Sequence, residues 1–329
     1  VPVGGLPAYP SEDAVLSAVT AEMLKLLFPA AVEEITRRAA EQREAAVLSG
    51  RASASDVAAG LALGKAVAAA MASVAGSDGM RGAAGTPAQW QALADSAAVR
   101  GEIPWRSQEV PARPPMLPGF GQVRAWTMSA AEVAAAQPPA PPSTSSSQMA
   151  RELAEVRQVA DGLTRDQLAI AHRWNDGAGT YAPPGHWNDV AAEHVRDARM
   201  TEVRAARAFA LLNMAMHDAA VGCWVVKYRY FNPRPSQLDP AIRTAVGLPN
   251  FPAYPSGHST FSAAAAVVLA HLFPGAADEF VALRDEAGIS RLYAGIHYRS
   301  DIERGKDHGT RVGVFVVRLA RADGADPPG

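Results

Sequence analysis

The sequence predicts an all-α fold, a bundle of packed helices. Apolar residues recur at helical spacing along most of the chain, strand-type alternation is almost absent, and Ser/Thr-x-x-Glu/Gln capping boxes stand before two helical runs. In order, residues 11–28, 31–48 and 55–74 read as Ala-rich helices, the first with an apolar stripe of Val15, Val19, Met23, Leu26 and Leu27. Residues 82–121 are rich in Pro and Gly and read as extended loop wrapped on a core. Ser129-Ala-Ala-Glu132 caps a short helix, and residues 137–148 form a Pro/Ser-rich segment expected to be a mobile loop. Thr164-Arg-Asp-Gln167 opens the next helix, and a polar loop, NDGAGTYAPPGHW, follows it. A long helical run covers 186–228, with a break expected near Ala198. The chain is thus expected to form one compact unit. Its parts are an N-terminal helical scaffold (1–136), the loop 137–148 and a catalytic bundle (149–329).

Composition narrows the function. The chain has 329 residues, 48% apolar and 19% charged, with a formal net charge of −2. That fits a soluble globular protein, and the lack of a basic block excludes a nucleic-acid partner. The single cysteine, Cys223, forbids an intrachain disulfide and reads as a buried inert thiol. The start Val-Pro-Val, without Met, reads as a processed end, which suggests export to the periplasm or medium. Residues 57–76 are long enough to span a membrane, but Lys65 near their middle costs about 2.5–3.5 kcal/mol on insertion scales. The run 263–273 is too short and contains His271, so no membrane span is expected.

All eight histidines lie between His172 and His308, which places proton chemistry in the second half. Three segments there carry unusual polar groups. KYRYFNPRP contains Lys227 and Arg234. PSGH (255–258) opens an apolar helix. SRLYAGIHYRSD contains Arg291, His297 and Asp301. Three cations suit a tetrahedral oxyanion, and Ser256 with the Gly257 N–H at a helix start would add donors. Such a cluster disfavours a divalent metal, since like charges 4 Å apart repel by about 4 kcal/mol at an effective dielectric of 20. His297 and Asp301, four apart, would share a helix face, the carboxylate fixing the imidazole tautomer. His258 could move a proton.

The order Lys-x6-Arg-Pro, Pro-Ser-Gly-His, Ser-Arg-x5-His-x3-Asp resembles the signature of vanadium-dependent haloperoxidases and type-2 phosphatidic acid phosphatases, including bacterial acid phosphatases. The resemblance implies an all-α helical bundle of the vanadium chloroperoxidase/acid phosphatase type with additional N-terminal helices. It implies an oxyanion held by Lys227, Arg234, Ser256, Gly257 and Arg291, with His258, His297 and Asp301 catalytic. In a haloperoxidase the cofactor is vanadate, His297 is its axial ligand, and halide and hydrogen peroxide are the substrates. In a phosphatase no cofactor is needed: His297 attacks phosphorus of a phosphate ester and His258 protonates the leaving alcohol. Chloroperoxidase-like members carry aromatics at the positions of Trp224 and Phe251, a candidate halide pocket. Against that branch, Ser259 stands where fungal chloroperoxidases have Ala, and Phe231-Asn-Pro replaces their aromatics. The chain's length and extra N-terminal helices tip the reading to the haloperoxidase-like branch. Dimers are common in the superfamily, so a homodimer is carried as an expectation. A decayed, non-catalytic anion binder is disfavoured by the intact His258, His297 and Asp301.

Overall fold

The computed structural model describes residues 9–325; the Val-Pro-Val start lies outside the described residues. The chain divides into two compact units, Val1–Asp78 and Gly79–Gly329. No strand occurs among the described residues, as the all-α reading expects.

The first unit holds α1 (Glu12–Leu27), α2 (Val32–Leu48) and α3 (Ala54–Ser77). Ser11 caps α1 by accepting from the Ala14 N–H, and Ser53 with Asp56 forms a capping box on α3. The contact face of α1 is small rather than bulky, formed by Ala14, Ser17, Ala18 and Ala21, while Leu26 and Leu27 are 63% and 67% exposed. The reason lies in α3. A Cβ at Gly60 would sit 2.4 Å from the Ser11 carbonyl oxygen, and one at Gly64 2.6 Å from that of Val15. The two helices pack backbone to backbone, which leaves no room for large side chains between them.

The expectation of no membrane span is corrected here. Two stretches among the described residues are long and apolar enough to cross a membrane: 54–82, with mean hydropathy 1.7, and 202–238, with 1.4. Lys65 is one charge in a long Ala/Gly/Val/Leu run and does not pull the mean below that level. The stretch 202–238 escaped notice because its apolar residues are interleaved with the polar signature. It is mostly buried, as a core helix is (67%), whereas 54–82 is only 17% buried.

The second unit contains α4 (Pro87–Val99), α5 (Ala130–Ala136), α6 (Ser147–Asp161), α7 (Arg165–Arg173), α8 (Ala182–Asp197) and α9 (Glu202–Tyr230). It continues with α10 (Pro235–Leu238), α11 (Gly257–Leu272), α12 (Ala277–Tyr293) and α13 (Arg299–Ala322). α4 was not expected. It begins inside the Pro/Gly stretch with Pro87 in its first turn, where a missing N–H costs nothing, and Thr86 and Gln89 cap it. α8 and α9 break between Asp197 and Glu202, as expected at Ala198. Residues 137–148 are tied down rather than hanging free: the Thr144 N–H and hydroxyl each donate to Glu102 at 2.7 Å, and the Tyr254 hydroxyl donates to the Pro139 carbonyl at 2.5 Å.

α11 is the axis of this unit and is buried along most of its length. α13 lies against it through Gly305, Gly309 and Gly313. A Cβ at Gly309 would come 2.0 Å from the Thr260 carbonyl oxygen, and one at Gly305 2.7 Å from that of Ser256. This glycine stripe brings the first turn of α13 beside the first turn of α11. The Ser256 N–H donates to the Asp301 carbonyl at 2.9 Å, which pins the two helix starts together.

Candidate active site

The polar residues converge where α11 and α13 begin and α9 and α12 end. They lie at the floor of a cavity of about 860 Å³. Gly257, His258, Arg291 and His297 line it, with Trp224 and Phe251. Lys227, Arg234 and Ser256 do not reach the cavity surface; they stand one layer behind, each at most 1% exposed.

His297 and Asp301 meet, but not as two residues on one helix face. His297 precedes α13, Tyr298 is its N-cap and Asp301 sits in its first turn. There the Asp301 carboxylate accepts from the Tyr298 N–H at 3.1 Å and contacts His297 Nδ1 at 2.8 Å. The carboxylate accepts a hydrogen bond from Nδ1–H, so the lone pair is on Nε2, which accepts from Arg234 Nη1 at 3.0 Å. Burial first, then the Arg234 and Lys227 charges, hold the imidazole well below its usual pKa, so it is neutral near pH 7.

The cations are fastened by carbonyl oxygens. Lys227 Nζ donates to those of Pro252, Ala253 and Pro255 at 2.9, 3.0 and 2.6 Å. Arg234 binds those of Phe251 and Ile296. Arg291 donates from Nε to Ser290 Oγ and from Nη2 to the Ala171 and Trp174 carbonyls, leaving Nη1 for a ligand. Burial lowers the pKa of all three, Lys227 to about 7 and Arg291 to about 9. Their charges face only two buried carboxylates in this cluster, Asp176 and Asp301. A buried cluster with surplus positive charge favours an anion. The Ser256 hydroxyl accepts from the Ser259 N–H at 3.3 Å and caps α11.

Sequence reasoning missed Asp176. It is 8% exposed, has φ +42°, and lies 3.8 Å from His258 Nε2 and 3.2 Å from His186 Nδ1. His186, in turn, stacks on Trp174 at 4.1 Å. The one available signal was an Asp before Gly in a polar loop that also holds a His. His258 Nε2 is buried without a hydrogen-bond partner. Burial, then Arg291, holds His258 well below its usual pKa. Ser259, which had counted against the haloperoxidase-like branch, does not line the cavity; a Cβ on Gly288 would lie 3.5 Å from its hydroxyl.

The two aromatics of the cavity wall pack together beside a buried cation. Trp224 and Phe251 have centroids 5.2 Å apart, and Lys227 Nζ lies 4.9 Å from the Phe251 centroid and 5.9 Å from that of Trp224. Phe261 extends this wall, 6.3 Å from Trp224.

Comparison with known proteins places the fold. The fold is that of a bacterial vanadium-dependent iodoperoxidase, with TM-score 0.76 and 24% identity over 96% of this chain and 82% of the other. A holo-type bacterial vanadium-dependent chloroperoxidase matches at TM-score 0.63 and 13% identity over 94% and 82%. A transmembrane PAP2 type phosphatidylglycerolphosphate phosphatase from Bacillus subtilis reaches TM-score 0.42 and 15% identity over 60% and 94%. No curated protein sequence matches the chain. The sequence model of the PAP2 superfamily matches residues 207–324, which include every signature position.

Proposed function

We propose that the protein is a vanadate-dependent haloperoxidase that oxidises halide with hydrogen peroxide. The observation that carries this reading is the Trp224–Phe251 pair, set between Lys227 and the cavity, beside a neutral His297 whose Nε2 lone pair faces Arg234. Its fold likeness to two vanadium-dependent peroxidases along nearly the whole chain supports the reading.

The donors fit a tetrahedral or five-coordinate oxyanion. His297 Nε2 would be the protein atom bound to it. Arg291 Nη1 and the α11 N-terminus at Gly257 would hold the oxygens, and Arg234 and Lys227 would add charge from behind. Vanadate, when bound, activates peroxide toward two-electron oxidation of halide. Asp301 keeps the Nδ1 proton in place and so keeps Nε2 free to ligate. His258 takes up or returns a proton at Nε2, and Asp176 stabilises its protonated form. The electropositive edges of Trp224 and Phe251 suit a halide and exclude water.

The same His297 geometry suits phosphoryl transfer, with Nε2 attacking phosphorus and His258 protonating the leaving oxygen. That acid phosphatase reading is the alternative. The discriminating assay uses protein stripped of phosphate and reloaded with orthovanadate. Peroxide-dependent bromide or iodide oxidation that phosphate inhibits is expected. No such turnover, with hydrolysis of an aryl phosphate by the same preparation, would select the phosphatase.

A further inference from the structure

Asp176 faces His258 from a loop that does little to hold it. Residues 174–181 join α7 to α8, and Asp176 stands there at φ +42°, in the left-handed region that few non-glycine residues adopt. The loop's own bonds are local: the Thr180 N–H and hydroxyl donate to the Gly177 carbonyl at 3.1 and 2.8 Å. The Asp176 side chain is 2% exposed, yet among the described residues its carboxylate is hydrogen-bonded by one side chain alone, His186, whose Nδ1 lies 3.2 Å from each oxygen. His258 Nε2, also buried and without a partner, lies 3.8 Å from Oδ2, beyond hydrogen-bond reach. Two under-satisfied buried groups thus face each other. One proton on His258 would satisfy both.

His186 is itself tightly held near the start of α8. Its ring stacks on Trp174 at 4.1 Å with 18° between planes, and on Tyr181 at 5.4 Å with 27°. Trp174 Nε1 donates to Glu286 of α12 at 2.8 Å, which anchors the stack to the bundle. A Cβ at Gly185 would come 2.7 Å from that of Tyr181, so glycine lets this residue close on the helix. The imidazole has little freedom to turn, and its donor direction is fixed. The charged groups around the pair are few. Asp176 acts on His186, His258, Arg291 and Tyr181. His258 also feels Arg291, His186, Arg234 and His297. Arg173 is paired with Glu286 at 3.0 Å, and Asp189 acts on Tyr181.

We propose that His186 is a positioning residue for the reaction. Its Nδ1–H holds the Asp176 carboxylate turned toward His258, ready to pair with His258 when that imidazole carries a proton. The inference rests on the proton-moving role of His258, which the haloperoxidase and phosphatase readings share.

The test is an NMR titration of His258 in the full chain with saturating inorganic phosphate, its resonance assigned by its loss in His258→Gln. His186→Phe keeps a flat ring in the stack and removes the donor. It should lower the His258 pKa in the phosphate complex by about one unit, a tenfold change in proton affinity. His186→Leu, smaller and also without a donor, serves should the Phe variant not fold. His186→Asn restores a donor, since its Nδ2 is bonded to Cγ as Nδ1 is, and should recover most of the loss. In whichever assay the parent is active, His186→Phe should lower kcat about tenfold with little change in KM, and His186→Asn should recover it. In an Asp176→Asn background, His186→Phe should add no more than about twofold, because it acts through that carboxylate. A His258 titration unmoved by losing the donor overturns the proposal. So does an equal loss in the Asn variant, or a full further loss in the Asp176→Asn background, either of which makes His186 a packing residue. The titration needs no turnover, so an inactive parent would remove the functional reading and leave this inference to the NMR result.

Discussion

His258 shows how burial alone does not fix a proton's task. Its Nε2 lacks a partner, and burial and Arg291 hold it neutral. An oxyanion at the floor would cancel that repulsion and raise its pKa, as a general acid requires. NMR titration of His258 should show a pKa below the usual value in the free protein and an upward shift with phosphate or vanadate; no shift would remove it from the site. Asp176→Asn should shrink the shift. The sign for stability follows from the same depression. Below about pH 6.5 the unfolded chain takes a proton that folded His258 refuses, so stability is lost as pH falls, by at most about 1.4 kcal/mol per pH unit. His258→Gln should therefore lose less stability than the parent between pH 7 and pH 5 in urea melts. His297→Ala should abolish either activity while leaving the far-UV spectrum intact; near-normal turnover would sink the site assignment.

Among the elements, the contact of α11 with α13 decides whether the site exists. Gly305, Gly309 and Gly313 let the two backbones touch, and Ser256 and Asp301 are joined only because they do. Gly309→Ala should cost roughly 1–3 kcal/mol in urea unfolding and weaken vanadate binding with it. An unchanged midpoint would mean that the helices can part without loss. His308 makes a second joint. Its Nδ1 lies 2.9 Å from the Ala136 carbonyl oxygen and its Nε2 3.2 Å from that of Ala219, so α13 is fastened to the end of α5 and the middle of α9. Gly222 makes room for that ring, since a Cβ there would sit 2.5 Å from it.

For the molecule as a whole, the hydrophobic clusters of the second unit are built from its own residues, from Ala83 onward. The cavity and every site residue also lie within it. A chain reduced to residues 79–329 should melt cooperatively and bind vanadate with an affinity near that of the full chain. A molten, non-cooperative product would show that the first unit is required for folding. Most of the exposed apolar stretch 54–82, its residues 54–78, lies in the first unit.

The sequence by itself determined the helical class, the caps and the order of the signature, because those depend on periodicity and on residue identity at short range. It also named the polar cluster, since Lys227, Arg234, Arg291, His258, His297 and Asp301 are individually unusual where they stand. Asp176 was invisible because its relation to His258 spans 82 positions (176 to 258) and is set by a loop. Which donors face the cavity, and which stand behind carbonyl oxygens, was equally hidden. These depend on how closely helices approach, and that distance is fixed by glycines whose role appears only when the facing backbone is known.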